Sequence, residues 1–174
     1  VKMPRWDLQK FPHALQTITS EMKSVGEVMA IGRTFEEALQ KAIRMLNIGQ
    51  EGLFPHSCSF LDLSHTLAFP TPHRVFAIAE AFAQRWSVRQ VASLTKIDRW
   101  FLERIQSCVR VGEELAGKPL TLTLSRGERE QFLRAKRAGF SDASIAALSR
   151  STPEDIRAQR EKAGIRPSVK QIDT

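Results

Sequence analysis

Residues 22–33 read Met22-Lys23-Ser24-Val25-Gly26-Glu27-Val28-Met29-Ala30-Ile31-Gly32-Arg33 and run directly into Thr34-Phe35-Glu36-Glu37. The chain changes character within this stretch. Val25 to Ile31 is β-leaning and interrupted by glycine, and prolines stand at 4 and 12, so residues 1–33 read as extended or irregular. At Thr34 a helical pattern begins. Thr34 is a capping residue with Glu37 three positions later as its box partner, and Phe35, Ala38, Leu39, Ala42, Ile43 and Leu46 form one apolar stripe. Asn47 and Gly49 stop it.

Working outward from this boundary, residues 47–70 mix Gly49, Gly52, Pro55 and Pro70 with many large apolar side chains, which predicts a long ordered connection pinned to the core. Thr71 is expected to cap a helix with Pro72 at its first position, burying Val75, Phe76, Ile78, Ala79, Phe82 and Ala83 and ending near Arg85. Ser87 with Gln90 forms a second capping box. Asp98 opens the longest helix, which runs to Gly117 and Pro119. Ser125 with Glu128 begins another, ended by Gly139; Ser141 opens a short one to Leu148; Thr152 with Pro153 begins the last, ended by Gly164. The fold class is therefore all-α, an irregular multi-helix domain behind a short extended N-terminal segment. Ser87, Val91, Ala92, Leu94 and Thr95 also align with Ser141, Ile145, Ala146, Leu148 and Ser149, a weak internal repeat with a helix-turn-helix outline.

At 174 residues and 42% apolar content the chain has enough material for a real core. It contains no apolar run long enough to cross a bilayer and no signal segment at its start, so no membrane partner is expected. Cys58 and Cys108 lie far apart without a partner pattern, which favours reduced thiols and a cytoplasmic location. His13, His56, His65 and His73 are scattered, and only His56 near Cys58 has a metal-like neighbour; four convergent ligands are not in view. Lys23, Gly26 and Gly32 do not have phosphate-loop spacing. Glu27 and Arg33 are read as a possible interdomain ion pair. The net charge of +7 concentrates in the C-terminal third, where Glu128, Glu130, Asp142, Glu154, Asp155 and Glu161 are interleaved among the cations, the pattern of a solvated mixed-charge surface.

Four landmarks in fixed order carry a family resemblance: Pro4-Arg5-Trp6-Asp7-Leu8, the run quoted above, Ile97-Asp98-Arg99-Trp100-Phe101-Leu102, and Val169-Lys170-Gln171-Ile172-Asp173-Thr174. Together they resemble the first half of the carbamoyl-phosphate synthase large chain and the helical oligomerisation domain that follows it. The resemblance implies that residues 1–33 end the carboxyphosphate-forming ATP-grasp domain, 34–166 form the oligomerisation domain, and 167–174 start the linker to the second synthetase half. It further implies an excised middle piece of a ligase that makes carbamoyl phosphate from bicarbonate, glutamine-derived ammonia and ATP, for pyrimidine and arginine biosynthesis. Partners would be the two synthetase halves, a glutaminase subunit or domain, and further copies of the chain. ATP and Mg²⁺ or Mn²⁺ would belong to the parent enzyme. This stretch carries no catalytic, cofactor-binding or metal residue on that reading, and alone it would be inactive.

The alternative is a helix-turn-helix nucleic-acid binder. Against it, a recognition helix starting at Pro153 would present Glu154 and Asp155 to phosphate, and Lys96 and Arg150 stand in the turns instead of glycine. The Asp98-Arg99-Trp100-Phe101 cluster is expected to be a core anchor, with Asp98 capping and both aromatics buried, so that truncating either ring would cost about 3–5 kcal/mol.

Overall fold

The computed structural model describes residues 1–11, 13, 15, 17–117 and 124–169. Pro12, Pro119 and residues 170–174, all used in the sequence reading, lie outside them. Among the described residues there are two strands and eight α-helices, so the all-α expectation with a short extended N-terminal segment holds. Strands β1 (Lys2–Arg5) and β2 (Gly26–Met29) pair antiparallel, with Met3 opposite Val28 and Pro4 opposite Glu27. The ladder extends beyond them through Ala30 N–H to Val1 O and Val25 N–H to Arg5 O. The guanidinium of Arg5 donates to Leu46 O at 2.9 Å, fastening the sheet to the end of the first helix. Glu27 does not pair with Arg33 as suggested. It meets Lys2, its diagonal neighbour across the ladder, at 2.8 Å.

Helix α1 (Phe35–Met45) starts where the sequence places it, the Thr34 hydroxyl accepting from Glu37 N–H. The reciprocal half of the box is displaced by one residue: Glu37 accepts from Arg33 N–H at 2.8 Å and pairs with Lys41 at 2.6 Å. Of the apolar stripe, Ala38, Leu39, Ala42, Ile43 and Leu46 are buried, with Gln40 added to them, while Phe35 at its start is half-buried. The connection 47–70 differs from expectation by containing a helix, α2 (Leu63–Ala68), capped by the Asp62 carboxylate on His65 N–H. Helix α3 (Arg74–Ala83) begins later than Thr71-Pro72. Those two residues form a turn whose Thr71 carbonyl accepts from Arg74 N–H, and no side chain caps the helix. Arg74 instead uses its guanidinium to join α2 and α4 through Leu67 O and Thr95 O.

The remaining helices are α4 (Val88–Thr95), α5 (Arg99–Leu115), α6 (Arg126–Arg137), α7 (Asp142–Ser149) and α8 (Pro153–Lys162). Their capping signals were read correctly: the boxes at Ser87/Gln90 and Ser125/Glu128 are both complete. The repeat is more regular than the aligned residues suggest. Gly139, Ser141, Arg150 and Thr152 each stand 54 positions after Arg85, Ser87, Lys96 and Asp98, and perform the same tasks. Arg85 and Gly139 take positive φ after a helix; Lys96 and Arg150 do so after the next, at φ 58° and 55°. Thr95 and Ser149, both buried, return their hydroxyls to Val91 O and Ile145 O, each at 2.8 Å.

Two buried clusters form the core. The first gathers Leu39, Ile43, Leu53, Leu67, Phe76, Ile78, Phe82, Val91, Leu102, Ile105, Cys108 and Val109; the second gathers Val111, Leu115, Phe132, Phe140, Ile145, Leu148, Ile156 and Ile165. Helix α5 serves both. At 17 residues it is about 25 Å long, sufficient to pass from one cluster into the other. Its buried face is Leu102, Ile105, Cys108, Val109, Gly112 and Leu115, so the heptad-like phase leaves Trp100 and Phe101 outside. They are 51% and 43% exposed, and the expectation of a buried anchor is wrong.

Phe54 packs against both clusters and lies over Gly112. A Cβ at residue 112 would come 2.5 Å from Cδ1 of the Phe54 ring. Alanine normally stabilises a helix interior by about 1 kcal/mol relative to glycine. Here the clash reverses the sign, because a ring wedged between two clusters cannot swing away. Gly112→Ala is expected to lower stability by about 1–3 kcal/mol in denaturant titration. An equal or raised midpoint would show that Phe54 moves freely.

Candidate interaction surfaces

The side chains that sequence reading weighed for chemistry do not converge. Gly26 lies in β2, and Gly32 packs against the first turn of α1, where a Cβ would meet Ala38 N at 2.8 Å. Lys23 donates to Thr17 O at 3.0 Å. Among the described residues no three His, Cys, Asp or Glu side chains come together as a metal site. Cys108 is fully buried in α5, and its thiol is pushed up to about 12, first by burial and then by the Glu36 carboxylate. A thiol protonated at all ordinary pH values is no nucleophile.

His56 is the unusual titratable group. Its side chain is only 3% exposed and packed between the Phe60 and Phe76 rings, with no well-formed hydrogen bond to either ring nitrogen among the described residues beyond a backbone contact with Cys58. Burial holds its pKa below the ordinary histidine value, partly opposed by Glu80, whose carboxylate lies 3.8 Å from Nε2. The unfolded chain therefore takes up a proton more readily than the folded one. Stability from this site is complete above about pH 6.5 and declines as pH falls below it. Thermal melts of the chain between pH 7.5 and 5 should show a falling midpoint that His56→Phe flattens; parallel curves for both proteins would sink this assignment.

Several cations of the basic C-terminal third are tied to neighbouring groups. Arg134 meets Glu114 at 2.9 Å, Arg157 meets Glu161 at 3.1 Å, and Lys136 and Arg160 both reach Asp142, at 2.8 and 3.2 Å. Burial lowers the pKa of Lys136 against the pull of Asp142. Burial alone would raise that of Asp142, but hydrogen bonds from Lys136 and then Arg160 outweigh it and keep the carboxylate ionised. Arg44 crosses from α1 to donate to Gly139 O at 2.7 Å, and Glu51 accepts from Ser141 Oγ at 3.2 Å. Arg44, Lys136 and Arg160 thus serve as joints between helices, while Arg157–Glu161 lies within α8.

Two apolar surfaces also remain open to a partner. Phe35, Trp100 and Phe101 form a triangle of edge-to-face rings, with centroids 5.0–5.7 Å apart. Arg104 reaches Glu36 at 3.6 Å beside it, holding α5 to α1. A second apolar surface is a shallow groove of about 400 Å³ between β2 and α1, lined by Met29, Ala30, Ile31, Lys41, Arg44 and Met45. Exposed aromatics can be recognised only once the phase of α5 is known. Gln40 was missed for a similar reason: it lies off the apolar stripe, yet it is fully buried and accepts from Leu53 N–H at 2.6 Å. The described helices include none long and apolar enough to cross a membrane.

The described residues form a helical body behind a short two-stranded sheet, with apolar surfaces left exposed. The sequence model of the family described as carbamoyl-phosphate synthetase large chain, oligomerisation domain, matches residues 27–164, and the chain belongs to that family. It is 44% identical over its whole length to multifunctional protein ura1 of Schizosaccharomyces pombe, of which it covers 8%. It is 46% identical to the carbamoyl phosphate synthase large chain, N-terminal section, of Aquifex aeolicus, covering 100% of this chain and 30% of that protein. With the arginine-specific carbamoyl phosphate synthase large chain of Eremothecium gossypii it shares 49% identity over 99% of this chain and 16% of the relative. The chain thus spans under a third of the length of each of these relatives.

Proposed function

We propose that the chain is the architectural middle of a carbamoyl-phosphate synthase, a ligase that joins bicarbonate and glutamine-derived ammonia at the expense of ATP, with Mg²⁺ or Mn²⁺ in its synthetase halves. Residues 1–33 finish the carboxyphosphate-forming ATP-grasp domain, 34–166 are the oligomerisation domain, and 167–174 begin the linker to the second half. The observation that carries this reading is likeness along the entire chain to large-chain relatives, combined with a family match confined to residues 27–164.

The domain's work is to hold the two halves in register, so that unstable intermediates pass between their sites, and to join further copies of the enzyme. An isolated two-stranded sheet is marginal in water, and β1 and β2 expose Met29 and, just beyond, Ile31, which supports their continuing into a larger sheet. A glutaminase subunit or domain belongs to the same assembly. Names among the relatives include arginine-specific and multifunctional proteins, which supports a place in arginine or pyrimidine biosynthesis. Two sequence-distant free thiols support a reducing compartment, the cytoplasm.

The isolated chain should release no ADP in a bicarbonate-dependent manner and make no carbamoyl phosphate from ammonia, while light scattering should give a mass above the 19.6 kDa of one chain. Steady bicarbonate-dependent ADP release would overturn the scaffold reading. A single-chain mass at every concentration would remove its self-association part.

A further inference from the structure

We propose that Arg5 is a positioning residue for the ligase reaction: it passes the position of the two-stranded sheet to α1, and so keeps the synthetase sites in the alignment that transfer of an unstable intermediate requires. The inference rests on the ligase reading above and names the joint through which the helical domain acts. Arg5 ends β1, opposite Gly26 of β2, and its Nη1 donates to Leu46 O at 2.9 Å, 41 residues further along the chain. Leu46 is the C-cap of α1. The last carbonyls of a helix have no partner within it and carry the negative end of its dipole, so a guanidinium is well matched to this position. Arg44, the basic residue in the last turn of α1, is turned to Gly139 O at 2.7 Å instead. The end of α1 is thereby held from the sheet.

Asp7 fixes the other edge of the same guanidinium. Its Oδ1 accepts from Arg5 Nε at 3.4 Å and its Oδ2 from Lys10 Nζ at 2.8 Å. Asp7 precedes the short 3₁₀ turn Leu8–Lys10, yet its side chain makes no capping bond, and the carboxylate, 12% exposed, serves the two cations. Hydrogen bonding to Lys10, opposed by burial and seconded by Arg5, holds its pKa below the ordinary carboxylate value, so it stays charged at neutral pH. A planar guanidinium with one edge on a carboxylate and another donor on a carbonyl is fixed in direction as well as in distance, which an ammonium on a flexible stem does not reproduce. Lys41 ties α1 to Ile31 O in that looser manner, at 3.2 Å.

A displacement of Leu46 reaches the whole helical body. From α1, Glu36 meets Arg104 of α5 at 3.6 Å, Gln40 accepts from Leu53 N–H at 2.6 Å, and Arg44 holds Gly139 O between α6 and α7. The helix also gives Leu39 and Ile43 to the first cluster. The sheet does not need Arg5 to form, because its ladder is made of backbone hydrogen bonds and Val1 and Met3 pack against the first cluster. Removing the guanidinium therefore frees the orientation of the sheet and leaves its structure in place, which separates positioning from folding.

The test uses the complete enzyme that contains this stretch, with ADP and carbamoyl phosphate measured side by side. In an Arg5→Met variant, bicarbonate-dependent ADP release should stay within about twofold of the unaltered enzyme while carbamoyl phosphate formed per ADP falls at least about fivefold, since misplacing reacting groups by about 1 Å costs up to about a hundredfold. An unchanged yield per ADP would overturn the proposal. So would ADP release and carbamoyl phosphate falling in the same proportion, the mark of a purely structural role. An unaltered enzyme that makes no carbamoyl phosphate would overturn the ligase reading and this inference with it. Should Arg5→Met fail to fold, Asp7→Asn decides the matter by the same ratio: it leaves the bond to Leu46 O and frees the other edge, so a lowered yield per ADP is expected and an unchanged one overturns the proposal.

Discussion

Everything in this fold leans on α5, and at one point on α5 the constraint is tightest. Phe54 touches both buried clusters and rests on the bare backbone of Gly112, so the chain between α1 and α2 can cross the helix only where no side chain rises. Close packing makes such a contact all-or-none, because interiors have almost no free volume to absorb a displaced ring. On one side of the crossing α5 contributes Leu102, Ile105, Cys108 and Val109 to the first cluster; beyond it, Val111 and Leu115 enter the second. Fully burying a large aliphatic side chain is worth about 1.5–3 kcal/mol, so a single helix carries a sizeable part of both cores. The Gln40 side chain reinforces the same junction by satisfying Leu53 N–H next to Phe54.

Joining the two clusters through one continuous helix has a consequence for a scaffold. A domain that must keep other parts of a protein in fixed relation needs stiffness along its length, and a helix shared by two cores transmits displacement better than a flexible link. The charged joints follow the same logic. Arg44 to Gly139, and Lys136 with Arg160 on Asp142, bind α1, α6, α7 and α8 across gaps that apolar packing leaves. The repeat at 54 residues supplies the local hardware twice, including left-handed Lys96 and Arg150, each preceded by a buried hydroxyl, of Thr95 or Ser149, that bonds back to Val91 O or Ile145 O. At the start of the longer helix the copies diverge: Asp98 caps Trp100 N–H ahead of two exposed aromatics, whereas Thr152 forms a capping box with Asp155.

Features that depend on near neighbours in the chain were legible before any coordinates. Capping boxes at Ser87 and Ser125, the Thr152-Pro153 start, and the stops at Gly139 and Gly164 each involve residues within a turn of one another, and all are found where expected. Features that depend on what lies across the fold were not. Trp100 and Phe101 look like core residues by hydrophobicity, but Leu102 and Ile105 set the phase of α5 and turn the aromatics outward. Thr71 was a credible cap until Arg74 is seen spanning two helices with its own guanidinium. The six-residue α2 hid among prolines and aromatics because Asp62 is its only local signal. No motif announced a site, and the family resemblance came from four ordered landmarks rather than from any constellation of reactive groups.

Native-state hydrogen exchange across α5 is the most direct test of a single shared spine. Amides from Leu102 to Val109 and from Val111 to Leu115 should open with one common free energy, equal to that of global unfolding and with the same dependence on denaturant. Separate opening energies for the two segments, with exchange of one unaffected by denaturant that exposes the other, would contradict the account and show two independent cores that merely meet at Gly112.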